Sequence, residues 1–273
     1  VQGIEEAPDL SPEALATLKT LQALRPRLHR LEPSRPLRDA RQAAAFVKER
    51  RIVMSTGRAG LPLLTEAIAG RPLAGSWMAH PEVRRIYNIL GRLAKYDVVT
   101  APLILGKEAV MDASLGPAVD RIAGERGRRA RVRGRLPLLA RRLLDQIEAE
   151  GRVRMDHWGV ATKRARPARL VLERELLVAA SGIHTESGYH TAIVVPWRTS
   201  KFSQRFAKEA ARLTFAEAQD MLLMAAVRSA VIAPEREVRR WFVFGAERID
   251  ILLAQGALER LTAAGRTWVT CRQ

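Results

Sequence analysis

Apolar residues recur along this chain at two spacings, and the alternation between them marks out its elements. The first helix-period stripe is Leu15, Leu18, Leu21 and Leu24, behind a Ser11-Pro12-Glu13 start with Ser as N-cap and Pro at the first helical position. Residues 25–38 carry three prolines and five arginines and read as a linker or strap. From Arg41 the pattern tightens. It predicts a helix over 41–50, a short strand over 51–54, a second helix over 61–69, and a longer third helix opened by Pro81 with Val83, Ile86, Tyr87, Leu90 and Leu93. Residues 98–105, a Gly106-Lys107 turn and residues 108–111 predict a β-hairpin, with Pro102 marking an edge or a bulge. Three helices followed by a two-stranded hairpin is the order of a winged helix-turn-helix.

The same succession returns, and a shorter third copy follows it. Leu136, Leu139, Leu143 and Ile147 fall at helical spacing and end at Gly151; residues 155–162 predict a second helix and 167–177 a third. Residues 178–183, a turn at Thr185-Glu186-Ser187-Gly188, and residues 190–195 then predict a second hairpin, in which Ala192-Ile193-Val194-Val195 is the clearest strand signal. Further on, Thr214-Phe215-Ala216-Glu217 forms a capping box at the head of a helix reaching about Val227. Pro234 opens another helix, residues 247–261 predict a third, and Thr267-Trp268-Val269-Thr270 begins a final strand. The expected fold class is therefore mainly α with small β-hairpins (α+β), built from tandem winged helix-turn-helix modules. The expected divisions are 1–38 (helix and strap), 39–124 (first module), 125–135 (an exposed arginine-rich linker), 136–198 (second module) and 199–273 (third module).

Composition agrees with helices, since aromatic residues are only 5% of the 273 and Leu, Ala and Arg dominate. Charge adds more. Lys and Arg number 46 against 29 Asp and Glu, a formal net charge of +17, which attracts polyanions, nucleic acid first among them. An arginine-rich proteome from a high-GC genome gives the same balance with no partner implied, so the distribution of the charge has to decide. A single cysteine, Cys271, excludes a disulfide framework and leaves no basis for a Cys-based zinc site. No apolar run approaches the roughly 20 residues that span a bilayer, and residues 1–10 are acidic and lack a signal pattern. The expected compartment is the cytoplasm, associated with the nucleoid.

Two stretches carry a resemblance. Residues 136–197, with a helix ending in EAEG, an arginine-rich helix and a long hairpin, look like the middle module of a winged-helix superfamily; RSAVIAPEREVRRWFVFGAERIDILLAQGALERLTAAGR looks like a further module of it. That superfamily includes the bacterial AlkZ/YcaQ DNA glycosylases, which unhook interstrand crosslinks. The resemblance implies tandem winged helices over about residues 40–273 and affinity for duplex DNA. Those glycosylases carry a Gln-aliphatic-Gln or Gln-aliphatic-Asp motif in their N-terminal half. Here the glutamines before residue 140 are Gln2, Gln22 and Gln42, none in that arrangement, so catalysis does not carry over.

In a winged helix the third helix enters the major groove and the hairpin touches phosphate or the minor groove. The expected DNA contacts of the second module are Lys163, Arg164, Arg166, Arg169 and Arg174 on its helix, with His184, Thr185, Ser187, Tyr189 and His190 at the hairpin tip. Pairing of Arg169 and Arg174 with Glu173 and Glu175, as a solvated helix face, is the alternative. Arg128, Arg129, Arg131 and Arg133 in the run ERGRRARVRGR supply non-specific attraction, and Arg84, Arg85 and Lys107 are the candidates of the first module. Arg236, Arg239, Arg240 and Arg248 lie in the third module, whose last helix is expected to pack or to meet a second copy of the chain. Five histidines (29, 80, 157, 184, 190) include a facing pair, His184 and His190, but no carboxylate or thiol at ligand spacing completes a metal site, and no cofactor motif is present. The leading expectation is a double-stranded DNA-binding protein of transcription regulation or DNA repair, without a catalytic centre. The alternatives are a glycosylase of the AlkZ type, with Asp112 or Asp156 in place of glutamine, and a winged-helix protein-interaction scaffold.

Overall fold

The computed structural model describes residues 12–272 except 58, 186, 187, 189 and 264. A leading helix, α1 (Pro12–Leu28), precedes α2 (Ala40–Arg50), β1 (Ile52–Met54), α3 (Leu64–Ala69), α4 (Val83–Arg92), β2 (Val98–Ile104) and β3 (Lys107–Asp112). Next come α5 (Gly116–Gly124), α6 (Arg126–Arg135), α7 (Leu138–Glu150), β4 (Val153–Arg154), α8 (Thr162–Arg174), β5 (Val178–His184), β6 (His190–Pro196) and α9 (Lys201–Ala210). The chain closes with α10 (Phe215–Ala230), β7 (Ala233–Pro234), α11 (Glu235–Trp241), α12 (Gly245–Ala254), β8 (Leu258–Ala263) and β9 (Arg266–Cys271). The three sheets have strand orders β1-β3-β2, β4-β6-β5 and β7-β9-β8. In each, the strand after the first helix pairs with the last strand of the hairpin, so one topology occurs three times. That topology is a winged helix, and the fold is the expected tandem array of α+β class.

Contacts gather the chain into two compact units, one of residues 1–113 with 220–273 and one of 114–219. In the first unit, Phe46, Val47, Leu64, Ile68, Ile86 and Ile89 of α2, α3 and α4 enclose Val53 and Val110, which face each other across β1 and β3. Asp39 starts α2 by accepting from the Gln42 N–H at 2.8 Å, while the Gln42 side chain accepts from the Arg38 N–H at 3.0 Å. The ladder of β2 slips between Ala101 and Ile104, at Pro102, on the edge of the sheet, as the sequence predicts. The strap does not hang loose: α1 continues through Pro26 to Leu28, and Leu37 is buried with its N–H on the Ala67 carbonyl at 2.9 Å.

Also in this unit, Leu18 and Leu21 of α1 pack on Ile232, Leu261 and Ala263 of the third module. The helix predicted over 247–261 stops at Ala254. Gly256, in the left-handed region at φ +69°, ends it, and residues from Leu258 to Ala263 pair with β9 instead. The expected cap Ser11 lies outside the described residues.

The second unit holds the middle module. Ala140, Leu143, Leu144 and Ile147 of α7 meet Ala165, Ala168 and Leu172 of α8 over Val153, Val178 and Val194 of the sheet. The helix predicted over 155–162 is a single 3-10 turn, Met155–His157, because Gly159 at φ +73° turns the chain. The following helix starts at Thr162, ahead of the expected Pro167, which therefore sits inside it. The capping box at the head of α10 is present, with the Thr214 N–H donating to Glu217 at 2.7 Å and the Glu217 N–H to the Thr214 hydroxyl at 3.1 Å. A larger correction concerns 125–135. Residues from Arg126 to Arg135 are a helix, largely exposed as expected but not an irregular linker: Arg is a good helix former, and Val132 and Leu136 join the core of the module. No helix among the described residues is long and apolar enough to cross a membrane.

Candidate nucleic-acid interface

α8 divides cleanly by face. Ala165, Ala168 and Leu172 are buried, while Lys163, Arg166, Leu170 and Arg174 recur on the opposite side at helical spacing, with Arg164 beside them. Lys163, Arg164 and Arg166 are exposed and make no ion pair among the described residues. The N-cap residue, Ala161, offers no side-chain acceptor to the first turn, so the helix start combines uncapped N–H groups with three cations. This is the chemistry of a phosphate-facing helix end.

The rest of the expected set is distributed unevenly. Arg169 lies 3.8 Å from Glu173, whose carboxyl is pushed up by burial against the pull of Arg169. Arg174 stands 3.4 Å from Glu175 but remains exposed. The anticipated pairing with Glu173 and Glu175 is therefore real for both, and it is loose. His184 and His190 are register partners at the far end of the β5–β6 hairpin, exposed, with ring centroids 4.1 Å apart. Ser187 and Tyr189 lie outside the described residues.

The arginine run separates into four different environments. Arg128 is a correction: only 7% exposed, it donates from Nε to the Ile122 carbonyl at 3.0 Å and from Nη2 to the Glu175 carbonyl, with the Glu175 carboxylate 3.6 Å from Nη1. Burial lowers its pKa and Glu175 opposes that shift, so it ties α6 to the end of α8 and does not face a ligand. Arg129 is half-buried, 3.8 Å from Glu148. Arg133 is gripped by Asp145 and Glu148. Arg131 is exposed and without an ion pair among the described residues, as is Arg135 at the end of the run.

In the first module, Arg84 is exposed on α4 next to Tyr87, which is 62% exposed. Arg85 is a second correction, since its guanidinium is held by the Ile68 carbonyl and by Glu82 and so fastens α4 to the end of α3. Lys107 is exposed at the start of β3. The neighbouring hairpin tip is docked, with the Leu105 N–H donating to the Trp241 carbonyl at 2.9 Å. In the third module Arg239 binds Glu235 and Asp250, Arg260 binds Glu235, and Arg248 binds Asp220, while Arg236 and Arg240 are exposed.

The two carboxylates considered for catalysis have structural partners. Asp112 is buried and accepts from Arg51 Nη1 at 3.0 Å. Asp156 accepts from Arg154 Nε at 2.9 Å and from the Thr191 hydroxyl at 3.2 Å, and the Arg154 bond holds its carboxyl below the usual range. Gln42, as described above, is committed to the start of α2.

No protein-family model matches the chain, and no curated protein matches it in sequence. Among solved structures, Streptomyces sahachiroi DNA glycosylase AlkZ superposes with a TM-score of 0.51 at 12% identity, over 93% of this chain and 69% of that one. The chain has the AlkZ fold. Three winged helices in series are what this AlkZ fold consists of here, and the resemblance seen in residues 136–197 lies within the aligned span. At such identity the likeness concerns architecture, so the AlkZ fold brings no residue role with it. One residue near the arginine run carries a signal that composition hides: Arg198, exposed in the 3-10 turn Trp197–Thr199 directly after β6.

Proposed function

We propose that this chain binds double-stranded DNA, with α8 and the β5–β6 hairpin of the middle module as its principal contact surface. The observation that carries the reading is the cationic start of α8, which makes no ion pair among the described residues. Lys163, Arg164 and Arg166 stand at an uncapped helix N-terminus, on the outer side of the helix whose Ala165, Ala168 and Leu172 build the core. In a winged helix that position faces the duplex, and the adjoining hairpin reaches the backbone. His184 and His190 at its end supply ring nitrogens for hydrogen bonds to sugar or phosphate. Sharing a fold with a DNA glycosylase supports the same ligand.

A role in DNA repair or in transcription regulation follows from such binding, and the AlkZ likeness favours repair. The partners assigned to Asp112 and Asp156 speak against either as a base-excising group, so the reading is a binding protein. A Lys163→Ala/Arg164→Ala/Arg166→Ala variant, titrated with a duplex at two salt concentrations, tests it. Unchanged affinity and unchanged salt dependence would remove this surface from consideration and leave the protein-scaffold alternative.

A further inference from the structure

The second unit contains an open cleft of about 570 Å³ on the side of α6, distinct from the start of α8. Arg129 and Arg133 of α6, Glu148 of α7 and Arg198 of the turn after β6 line it, over an apolar base that includes Leu144 and Leu177. The charges do not balance. Arg133 takes both Asp145 and Glu148, so it is neutralised within the fold. Arg129 shares Glu148 only at 3.8 Å, and its Nη1 is shielded from solvent with no hydrogen-bond partner among the described residues. Arg198 is exposed and makes no ion pair among the described residues.

An unbonded guanidinium nitrogen out of water is costly, and a second cation on the same cleft adds repulsion instead of relief. The strain shows in Arg129 itself, whose pKa is lowered first by burial and next by Arg198, with Glu148 opposing. Two arginines that face one concavity, with only the carboxylate of Glu148 near them and that shared with Arg133, are completed by a ligand bearing several anionic oxygens. Planar guanidinium forks match such oxygens in bidentate fashion.

We propose that Arg129 and Arg198 bind a phosphate group in this cleft, with Glu148 setting the affinity by competing for Arg129. The phosphate is either a phosphodiester of the duplex backbone or a free phosphate. The inference does not depend on the α8 surface, because its first arm uses no nucleic acid.

The test uses the full chain. In the first arm, inorganic phosphate is titrated at constant ionic strength and the thermal midpoint is followed, since a ligand of the folded state raises it. In the second arm, duplex affinity is measured for the same variants. Arg198→Gln alters an exposed residue and leaves the core intact; it should weaken whichever phosphate is the ligand at least about tenfold. Glu148→Gln should strengthen it by about two- to fivefold. Loss of the phosphate response alone in Arg198→Gln assigns the cleft to free phosphate. Loss of duplex affinity, with or without the first effect, assigns it to the backbone. Both responses unchanged in Arg198→Gln, or weakened binding in Glu148→Gln, overturns the proposal. The α8 triple variant keeps its phosphate response if the two surfaces are separate, so failure of one reading is distinguishable from failure of the other.

Discussion

His29 Nε2 donates to the Ser229 carbonyl at 3.2 Å, across 200 residues of sequence, and Arg50 Nη2 donates to that same oxygen at 2.9 Å. Together they close the C-terminal end of α10 against the first module. The imidazole is pushed down to about 3 by burial and by Arg25 and Arg50. The bond to a carbonyl needs a proton on Nε2, and the low pKa leaves the ring neutral with its one proton there.

Stability should therefore fall on acidification well before the carboxylates titrate. Between the ordinary histidine value of 6.5 and about 3, the unfolded chain takes up a proton that the folded chain refuses. The slope approaches about 1.4 kcal/mol per pH unit in that window and vanishes above it. His29→Gln keeps a donor and removes the titration. Urea midpoints between pH 7 and 5 should fall less steeply in the variant; parallel curves would show that the ring is not held neutral.

Gly116→Ala should destabilise the second unit. A Cβ there would stand 2.5 Å from the Phe206 ring, so α5 and α9 would have to separate. The expected loss is about 1–3 kcal/mol. Adding Phe206→Leu to the Gly116→Ala variant should restore part of it, and chemical denaturation of the four proteins of the cycle reads the coupling. Strict additivity would mean that the two residues do not touch.

Trp197 Nε1 donates to the Asp120 carboxylate at 2.8 Å, both residues being buried. Trp197→Phe leaves that carboxylate with one partner fewer and should cost about 1–3 kcal/mol. Asp120→Asn keeps an acceptor and should cost less. Equal losses in the two variants would point to packing, not to the hydrogen bond, as the source of stability.

Duplex binding should weaken steeply with salt. Each phosphate contact contributes about −0.9 to the slope of log affinity against log salt, so removing Lys163, Arg164 and Arg166 together should make that slope shallower by about 2.7. Lys208→Ala, on α9, serves as a control for general charge and should leave the slope nearly unaltered.

Much of the architecture was legible because it depends on short-range chemistry. The Thr214–Glu217 box, the hairpin ending at His184 and His190, and the irregular strand at Pro102 all appear where their residue types predict. The departures have physical causes too. In the sequence the six arginines of 125–135 register as charge alone, although arginine favours helix and its stem can be buried when carbonyls receive the guanidinium, as Ile122 and Glu175 do for Arg128. The helix predicted through Leu261 continues an apolar rhythm past Gly256, where pairing with β9 competes successfully.

The candidate surface was legible only in outline. Sequence spacing puts Lys163, Arg164, Arg166, Arg169 and Arg174 on one helix, but which of them keep their charge available depends on Glu173 and Glu175 and on the face that Ala165, Ala168 and Leu172 bury. Arg198 carries no signal in the sequence, because its significance arises from Arg129, brought near it by folding.

By itself, the order of residues determined the recurring succession of helices and strands, with complete hairpins legible in the first two modules, the positive charge and the absence of a Gln-aliphatic-Gln motif. Those properties are set by periodicity, by composition and by neighbours a few positions apart. Tertiary structure alone decided which arginines are anchors and which face outward, since a guanidinium is neutralised by whatever carboxylate or carbonyl the fold places within about 4 Å, however remote in the chain.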